Sequence, residues 1–439
     1  MEKLTITNNE RLCLNEKDNP TASNSGGLDV TQEMWDIINQ PGYLSLAKGG
    51  KRLRKLYIQK SLGLDGSKLS GFSLYCFIGH FDQVRQEVES GTAPDLEGTE
   101  TPFKFGYATL IVAGAQRVSS ENPTVKLRHL DTLNYLLSCG LPPDIGDIVG
   151  ITALGHAVTS RIPKLDLARA LIKAGANVNH QNRYGEVAIF GSFQHNHIAE
   201  IDLLLEHGAD LEIKEADGTT PMSFFLTCGP QVTATVRKWI NKRKGLEAPR
   251  VEKRCDNCGT DEMALKNCSK CQVARYCSVE CQRIAWPTHK QTCQPFSTTN
   301  TVTLKPFYEN VGSVAPTFNL TRQFFGIPAN PTPSSHYRAA HIPKGLSFES
   351  KKLIIKVQVP FNAATGKPGG NHGNLFVYSK KRDFVCGIRR ADSPKAYDRL
   401  TRVIKTQGVG GAKAYFAADL KSKDELIVKV SEVLAEQPF

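Results

Sequence analysis

Residues 255–293 contain seven cysteines and one histidine, and these side chains could together bind metal ions. Thiolate sulfur and imidazole nitrogen are usual ligands of Zn²⁺ in proteins, and a Cys-x2-Cys turn aims two thiolates at one ion. Eight such ligands fill two tetrahedral sites and leave no open position, which is typical of structural rather than catalytic zinc. The sequence therefore predicts two bound Zn²⁺ ions, whose ligands are Cys255, Cys258, Cys268, Cys271, Cys277, Cys281, His289 and Cys293.

The spacing of these ligands leaves their pairing open. The last four form two pairs whose members are four residues apart, which puts both ligands of a pair on one face of a helix. The pairs could close the two sites in sequence or in an interleaved order. A disulfide cluster is the alternative to zinc. An odd number of cysteines, the histidine among them and the lack of a secretory signal argue against disulfides.

The stretch resembles the MYND-type zinc finger. Tyr276 precedes the third pair, Trp286 follows Gln282 by four residues, and the stretch ends on a histidine and a cysteine, as in that family. The resemblance implies an interleaved pairing with two sets of ligands. These sets are Cys255, Cys258, Cys277 and Cys281 for one ion, and Cys268, Cys271, His289 and Cys293 for the other.

The same resemblance implies a peptide-binding groove beside Gln282 and Trp286, which in the family receives extended proline-rich segments. These two residues are four apart, so they lie on the same side of a helix, and aromatic grooves bind such segments in other domains. The alternative is that Trp286 is a core residue of a domain too small to pack otherwise. Because Pro287 follows, we expect the chain to bend there and to leave the indole at an edge.

Glycines recur through the middle of the chain with a period near 33 residues. Two sets show spacings of 35 and 33 residues: Gly140, Gly175 and Gly208, and Gly150, Gly185 and Gly218. Residues 173–179 read Lys-Ala-Gly-Ala-Asn-Val-Asn, and this word and the period resemble ankyrin repeats, in which paired helices stack on their neighbours. We therefore expect about five ankyrin repeats over residues 68–247, one of them with an insertion near residues 117–126.

The segments around the finger differ in composition. Residues 1–27 are polar and lack a core pattern, which predicts a disordered N-terminus, and residues 28–67 are expected to form a helical cap. The finger itself spans residues 253–293. Residues 294–345 contain seven prolines and are typical of an extended linker.

The last segment, residues 346–439, has the pattern of an α+β domain of unknown type. A strand near residues 353–359 and a hairpin over residues 375–388 are predicted from alternating apolar residues. A helix is predicted from Ser393 to Gly408. The motif at 422–425, Ser-Lys-Asp-Glu, has the form of a capping box and predicts a final helix.

Composition limits the function classes. The 439-residue chain is 40% hydrophobic and 22% charged, with a formal net charge of +12. No apolar run approaches the roughly 18 residues of a membrane span, and no secretory signal is recognisable. We therefore expect an intracellular protein of the cytoplasm or nucleus, without membrane contact. The positive charge permits nucleic-acid binding, but it is spread along the chain and does not indicate it.

The patterns together predict a multidomain, mainly α protein: an ankyrin-repeat helical solenoid, a small zinc-stabilised MYND finger and a C-terminal α+β domain. The predicted function is a non-enzymatic adaptor in transcriptional regulation, binding protein partners through the repeats and proline-rich peptides through the finger. No catalytic residue is predicted. The first alternative is an enzyme with a catalytic C-terminal domain, although residues 369–374 lack the cysteine of a SET methyltransferase motif. The second is nucleic-acid binding through the basic runs at 242–244 and 380–382.

Overall fold

The structure is a computed structural model of the chain, which divides into two compact units, Met1–Cys228 and Gly229–Phe439. No helix in the described part of the chain is long and apolar enough to cross a membrane. The residues that the structure describes are 3–6, 10–13, 25–120, 127–243, 245, 254–261, 264–309, 322–323, 340–346, 349–362, 367–368 and 373–434.

The first unit is built mainly of helices. They are α1 (Gln32–Ile38), α2 (Gly50–Ser61), α3 (Gly71–Ile78), α4 (Phe81–Glu89), α5 (Tyr107–Arg117), α6 (His129–Ser138), α7 (Ala153–Thr159), α8 (Leu165–Lys173), α9 (Ile189–His195), α10 (Ile198–Glu206) and α11 (Pro221–Phe224). Its strands are β1 (Lys3–Ile6), β2 (Glu10–Cys13), β3 (Thr99–Glu100), β4 (Phe105–Gly106) and β5 (Val118–Ser120).

The start of the chain differs from the prediction of disorder over residues 1–27. β1 pairs antiparallel with both β2 and β5, so this segment contributes two strands to a three-stranded sheet. β5 lies in the predicted insertion at 117–126, of which residues 121–126 lie outside the described residues. The backbone groups of the two polar segments thus satisfy each other, a long-range pairing that composition does not reveal.

From α3 onward the helices form consecutive pairs. α3 packs on α4, α5 on α6, α7 on α8 and α9 on α10, and the first helix of each pair also packs on the first helix of the next pair. α8 illustrates the pattern, because Leu167, Ala168 and Leu171 are buried while Arg169 is exposed. This spacing gives the helix one apolar stripe that faces its neighbours.

Backbone hydrogen bonds link the loops that join successive pairs. The acceptor–donor pairs are Phe103 O with Ile148 N, Val149 O with Arg183 N, and Tyr184 O with Ala216 N, at 2.9, 2.8 and 2.9 Å. Gly185 has φ 73°, a left-handed conformation that favours glycine, and a Cβ there would lie 3.0 Å from Ala216 N. Glycine at this position therefore lets neighbouring loops approach closely.

Residues 28–61, here called the N-terminal segment, lie across these loops. Leu44 N donates to Arg183 O at 2.7 Å, and the Arg183 guanidinium donates to Ile38 O at 2.7 Å. Leu46 N donates to the Asp217 carboxylate at 3.0 Å. The segment therefore contacts loops that follow it by well over a hundred residues in the sequence.

α2 adds one partly buried and one buried polar contact to the same loops. Arg54 Nη2 lies 2.8 Å from Glu186 Oε1, and the Tyr57 hydroxyl donates to Asp147 Oδ2. Leu53 beside them is fully buried. The N-terminal segment is thus held by charge, hydrogen bonding and apolar burial together, as a structural part of the first unit.

The second unit contains the finger and a sheet. Its helices are α12 (Pro230–Arg243), α13 (Val279–Thr292) and α14 (Pro394–Gln407). Its strands are β6 (Lys266–Asn267), β7 (Arg275–Tyr276), β8 (Thr301–Leu304), β9 (Pro306–Phe307), β10 (Lys351–Gln358), β11 (Phe361–Asn362), β12 (Lys367–Pro368), β13 (Leu375–Ser379), β14 (Val385–Ile388), β15 (Lys413–Ser422) and β16 (Glu425–Lys429). The boundary at 228/229 falls inside the predicted array of residues 68–247, so α12 belongs to this unit.

Seven of the described strands form one sheet in the order β8-β16-β15-β10-β13-β14-β9, antiparallel throughout. Alternate residues of β10, such as Ile355 and Val357, pack in one core with Leu400 and Ile404 of α14. The predicted strand at 353–359, the hairpin over 375–388 and the helix that ends before Gly408 are confirmed.

The structure differs from the prediction at two places in this unit. β8 and β9 lie inside the predicted linker of residues 294–345, and Val302 and Leu304 of β8 alternate into the core. β9 is an edge strand, where Pro306 is tolerated because its missing N–H interrupts no central ladder. The predicted final helix is β16, whose buried Leu426 and Val428 have the period of two of a strand. The string at 369–372 lies outside the described residues.

Candidate metal centre

A short hairpin and one helix carry the ligands. β6 pairs antiparallel with β7, and the turn between them contains Cys268 and Cys271. Cys268 N donates to Ala274 O at 2.7 Å, and Gln272 N donates to Cys268 O at 2.9 Å. Gln272 has φ 63°, so the turn closes through a left-handed residue. These bonds hold the two thiols of the turn on one side.

The helix α13 begins immediately after the hairpin. Its N-cap is Ser278, whose Oγ accepts a hydrogen bond from Cys281 N at 3.1 Å. Cys277 therefore precedes the helix, although its spacing from Cys281 was predicted to place both on one helical face. His289 lies in the last turn, and Cys293 is the C-cap.

Cys255, Cys258, Cys277 and Cys281 form the first cluster. Cys258 Sγ lies 3.6 Å from Cys277 Sγ, and Cys277 Sγ lies 3.5 Å from Cys281 Sγ. Asn257 Nδ2 also lies 3.5 Å from Cys281 Sγ. The amide therefore supplies a donor to a sulfur that would carry negative charge in a metal complex.

Cys268, Cys271, His289 and Cys293 form the second cluster. Cys271 Sγ lies 3.6 Å from His289 Nε2. The Tyr276 ring meets the imidazole edge-on, with ring centroids 6.1 Å apart. The helix α13 thus directs the His289 imidazole at the thiols, and the Tyr276 ring of the hairpin packs against the imidazole and holds its orientation.

Both ligand sets fit a tetrahedral zinc ion. The ligand atoms of each cluster all lie within 4.8 Å of one another. A Zn–S distance of about 2.3 Å separates tetrahedral sulfurs by roughly 3.8 Å, close to the observed sulfur separations. The grouping is interleaved, because the first Cys-x2-Cys pair joins the third pair and the second joins the fourth. This is the grouping that the family resemblance implies.

The thiols of the first cluster ionise unequally. Burial opposes ionisation of Cys255, but backbone hydrogen bonds from Cys258, Cys277 and Asn257 outweigh it and lower its pKa to about 6. The pKa of Cys277 is raised to about 12, first by its hydrogen bond to Cys281 and then by burial. Of these two thiols, Cys255 therefore ionises more readily, and a thiolate at Cys277 needs a cation to balance its charge.

Gln282 and Trp286, the predicted peptide contacts, lie one helical turn apart on α13 and are both half-buried. Trp286 is not part of the apolar cluster that the described finger residues form around Tyr276 and Ala274. Its ring lies 5.8 Å from the His289 ring. Pro287 does not end the helix, because α13 continues through this residue to Thr292.

Sequence reasoning missed two side chains of the site. Lys270 Nζ lies 5.2 Å from the centre of the Trp286 ring, which places a cation beside the indole. Asn257 donates to Cys281 as described above. Each residue lies between the two cysteines of a Cys-x2-Cys turn. That position close to the ligands is the sequence feature from which their role could have been predicted.

The family model for the MYND finger matches residues 255–293, the same residues that carry both clusters. Residues 255–293 are a MYND finger. The family match and the two ligand clusters together support metal binding by this segment. The family match covers this segment of the 439-residue chain.

Curated relatives match over the MYND finger. Histone-lysine N-methyltransferase SMYD3 of Homo sapiens is 50% identical over 40 residues, which are 9% of each chain. N-lysine methyltransferase SMYD2-A of Danio rerio is 52% identical over 54 residues, 12% of this chain and 11% of that protein. SET domain-containing protein 14 of Caenorhabditis elegans is 44% identical over 57 residues, 13% of each. The chain thus covers about a tenth of the length of these relatives.

These relatives correct the predicted function. The assignment to a non-enzymatic adaptor in transcriptional regulation is wrong, because proteins that share the MYND finger are named as lysine methyltransferases. The sequence reasoning rejected methyltransferase chemistry from the string at 369–374, which lies distant in the sequence from the segment that matches. Because the similarity covers only about a tenth of the chain, the activity of the whole protein is a proposal.

Proposed function

We propose that this protein acts in protein lysine methylation and that its MYND finger binds a protein segment in that process. The observation that carries the proposal is 50–52% identity, over 40 to 54 residues, with named lysine methyltransferases. Residues 255–293, which the MYND family model matches, hold all eight ligands and the indole beside them. Two chains that match over the finger alone would most simply share a surface that binds the same kind of protein segment.

The decisive experiment measures methyl transfer. Full-length protein purified from cells with its bound partners is incubated with labelled S-adenosylmethionine and lysine-containing substrate proteins. We expect transfer to lysine that is lost in a Cys281→Ser protein, because this substitution removes a ligand of the first cluster. Transfer that is absent, or equal in both preparations, would overturn the proposal. Recombinant chain assayed alone decides whether the activity resides in this polypeptide.

The proposed cofactor of the finger is two Zn²⁺ ions, one for each cluster. Each set of four ligands is complete, which supports a structural role in which zinc fixes the hairpin against α13. A protein with zinc-dependent structure and free thiols in its described part fits the cytoplasm or the nucleus.

The proposed partner surface of the finger is the side of α13 that carries Gln282 and Trp286. The half-buried indole, which has the Lys270 ammonium over its ring, gives an apolar surface against which prolines can stack, and the amide of Gln282 can bond a peptide backbone. Proline-rich protein segments are therefore the favoured ligands. Nucleic acid stays an alternative that the charge permits without indicating it.

Substitution of the indole tests this surface. Trp286→Ala with zinc retained should weaken a proline-rich ligand by roughly 2 kcal/mol, the size of an aromatic hot spot. Ile284→Ala is the matched control, because Ile284 on the same helix is 67% exposed and is predicted to leave the affinity unchanged. Loss of zinc from Trp286→Ala, or full binding by it, would remove both Gln282 and Trp286 from the partner surface.

We also propose that residues 68–247 are ankyrin-type repeats with residues 28–67 as their cap. Consecutive helix pairs and the hydrogen-bonded loops between them support this, as do the left-handed glycines at the repeating positions. Gly185→Ala should destabilise the first unit more than Gly218→Ala in urea unfolding. Both have positive φ, but a Cβ at Gly185 meets the next loop, whereas one at Gly218 meets nothing described within 4 Å. Equal losses would count against stacked loops.

A further inference from the structure

The two ligand clusters of the finger differ in how far solvent reaches their thiols. In the first cluster Cys258 is exposed and Cys277 is half-buried. In the second cluster Cys268 and Cys271 are 1% and 3% exposed, and Cys293 is half-buried. A small oxidant in solution therefore reaches the first cluster through an exposed thiol, whereas each thiol of the second cluster is at least partly covered.

The surroundings of Cys258 are open. It lies at the end of a turn that Gly259 N closes by donating to Cys255 O at 2.9 Å. The three consecutive residues Asn257, Cys258 and Gly259 are all exposed. A Cβ at Gly259 would meet no described atom within 4 Å. The turn thus leaves room beside Cys258 for a molecule as small as a peroxide.

A second thiol lies next to the exposed one. Cys258 Sγ is 3.6 Å from Cys277 Sγ, and the sulfurs of a disulfide are about 2.05 Å apart. An approach of about 1.5 Å therefore joins them. A thiol this close to an oxidised cysteine can act as its resolving partner, which converts a sulfenic acid to a disulfide.

Nitrogen donors engage the other two thiols of the first cluster. Cys255 is 2% exposed. Its sulfur accepts hydrogen bonds from the backbone of Asn257, Cys258 and Cys277. Asn257 Nδ2 lies 3.5 Å from Cys281 Sγ. All four sulfurs are thiolates when a metal is bound, and a donated hydrogen bond then draws electron density away from the sulfur that accepts it. Cys258 and Cys277 are therefore the pair better able to react.

We propose that the first cluster is a peroxide-sensitive site, at which hydrogen peroxide oxidises Cys258 and a Cys258–Cys277 disulfide forms. This inference rests on the proposed binding of zinc by the finger, because metal binding keeps both sulfurs as thiolates. The disulfide removes two of the four ligands of the first cluster and leaves the second cluster complete. Oxidation thus detaches the turn at 255–260 from the hairpin and α13 without dismantling the rest of the finger.

Two steps account for the atoms and electrons. The Cys258 thiolate attacks one peroxide oxygen, so that an S–O bond forms, the O–O bond breaks and hydroxide leaves. The Cys277 thiolate then attacks the sulfur of this sulfenic acid, so that the S–S bond forms, the S–O bond breaks and a second hydroxide leaves. The two thiolates lose one electron each, and one peroxide is reduced to two hydroxides.

The release of zinc from the full chain tests the proposal. After its zinc content has been measured, the purified chain is treated with hydrogen peroxide in the presence of a chromogenic zinc chelator. We expect one ion per chain to be released in a fast phase and the other in a slow phase. Peptide mass mapping after the fast phase should find the Cys258–Cys277 bridge, and dithiothreitol with added zinc should restore the first ion.

Two substitutions identify the thiol that reacts. Cys258→His is the main variant, because imidazole is also a zinc ligand but cannot form a disulfide. It should keep both ions and lose the fast phase. Cys293→His is the matched control from the second cluster and should leave the fast phase unchanged. If Cys258→His does not hold the first ion, dimedone is applied to the unmodified chain to trap sulfenic acid, and the adduct within the finger should lie on Cys258.

Several outcomes would overturn the proposal. These are release of both ions at one rate, a fast phase that persists in Cys258→His, and a bridge other than Cys258–Cys277. A dimedone adduct on another cysteine of the finger would do the same. Fewer than two ions before peroxide is added would overturn the zinc proposal and this one with it, whereas two ions that leave at one rate would overturn this one alone.

Discussion

We predict that Asp147 contributes more than any other residue to holding the N-terminal segment against the loops of the first unit. Its side chain is fully buried, and its carboxylate accepts four hydrogen bonds. The donors are the Tyr57 hydroxyl, His156 Nε2 at 2.9 Å, Val149 N at 2.9 Å and Ile151 N at 3.0 Å. Asp147→Ala removes the two oxygens that accept all four hydrogen bonds. Because Tyr57 and Val149 are buried, their donors cannot turn to water, whereas His156 and Ile151 are partly exposed and can.

The loss of stability follows from the two donors that stay buried. Each buried unsatisfied donor costs about 1–3 kcal/mol, so Asp147→Ala should lower the free energy of unfolding by about 4 kcal/mol. Tyr57→Phe removes a single bond to a charged group and should cost about 1.5–3 kcal/mol. Asp144→Ala is the matched control from the same loop, since among the described residues its half-buried carboxylate accepts from Asn177 N alone, at 2.9 and 3.1 Å. It should cost about 1 kcal/mol or less.

Urea unfolding followed by Trp35 fluorescence measures these losses, because Trp35 lies in α1 of the N-terminal segment. Trp239→Phe and Trp286→Phe in the background leave this indole as the only emitter. The midpoint should fall while the slope stays constant, which identifies a change in stability rather than in the unfolded state. A loss below about 2 kcal/mol for Asp147→Ala, or one equal to that of Asp144→Ala, would refute the assignment.

Three further predictions concern metal and acid. Atomic emission should find two zinc ions per purified chain, and Cys281→Ser should lower that number; a ratio near one in the unmodified chain would contradict the two clusters. Chelation should melt the finger and leave the helical circular dichroism of the first unit largely intact, whereas complete loss of helix would make zinc essential to both units. Burial lowers the pKa of His129, so below the unfolded pKa of about 6.5 the unfolded chain takes up a proton that the folded chain does not. Stability should therefore fall from about pH 7.5 to about pH 5.5, and less so in His129→Gln; equal falls by urea unfolding would exclude His129 as the cause.

The finger could be predicted almost completely because its chemistry is local. Zinc ligands must be cysteine or histidine at short, fixed spacings, so Cys268 and Cys271 identify a turn before any fold is known. The interleaved grouping came from family resemblance rather than spacing. The hairpin with Lys270, and the helix that continues past Pro287, depend on packing that no local pattern encodes.

The C-terminal sheet could be predicted only in part. β10 and α14 have long periodic patterns, whereas β16 follows a turn whose residues also satisfy a helix cap, and its apolar residues suit either period. The strand β8 was hidden by the prolines around it. Lys356 meets Tyr378 and Tyr415 only across neighbouring strands, so the local sequence around each residue gives no sign of these contacts.

The contacts of the N-terminal segment have a consequence for the order of synthesis. Leu46 leaves the ribosome first, yet the Asp217 carboxylate that it contacts follows 171 residues later. At about 5–20 residues per second, the segment waits roughly 10–30 s for that loop. During this time Met34, Leu53 and Leu56, which are buried in the finished unit, face solvent or a chaperone. The N-terminal segment is therefore made early but is among the last parts of this unit to reach its final place.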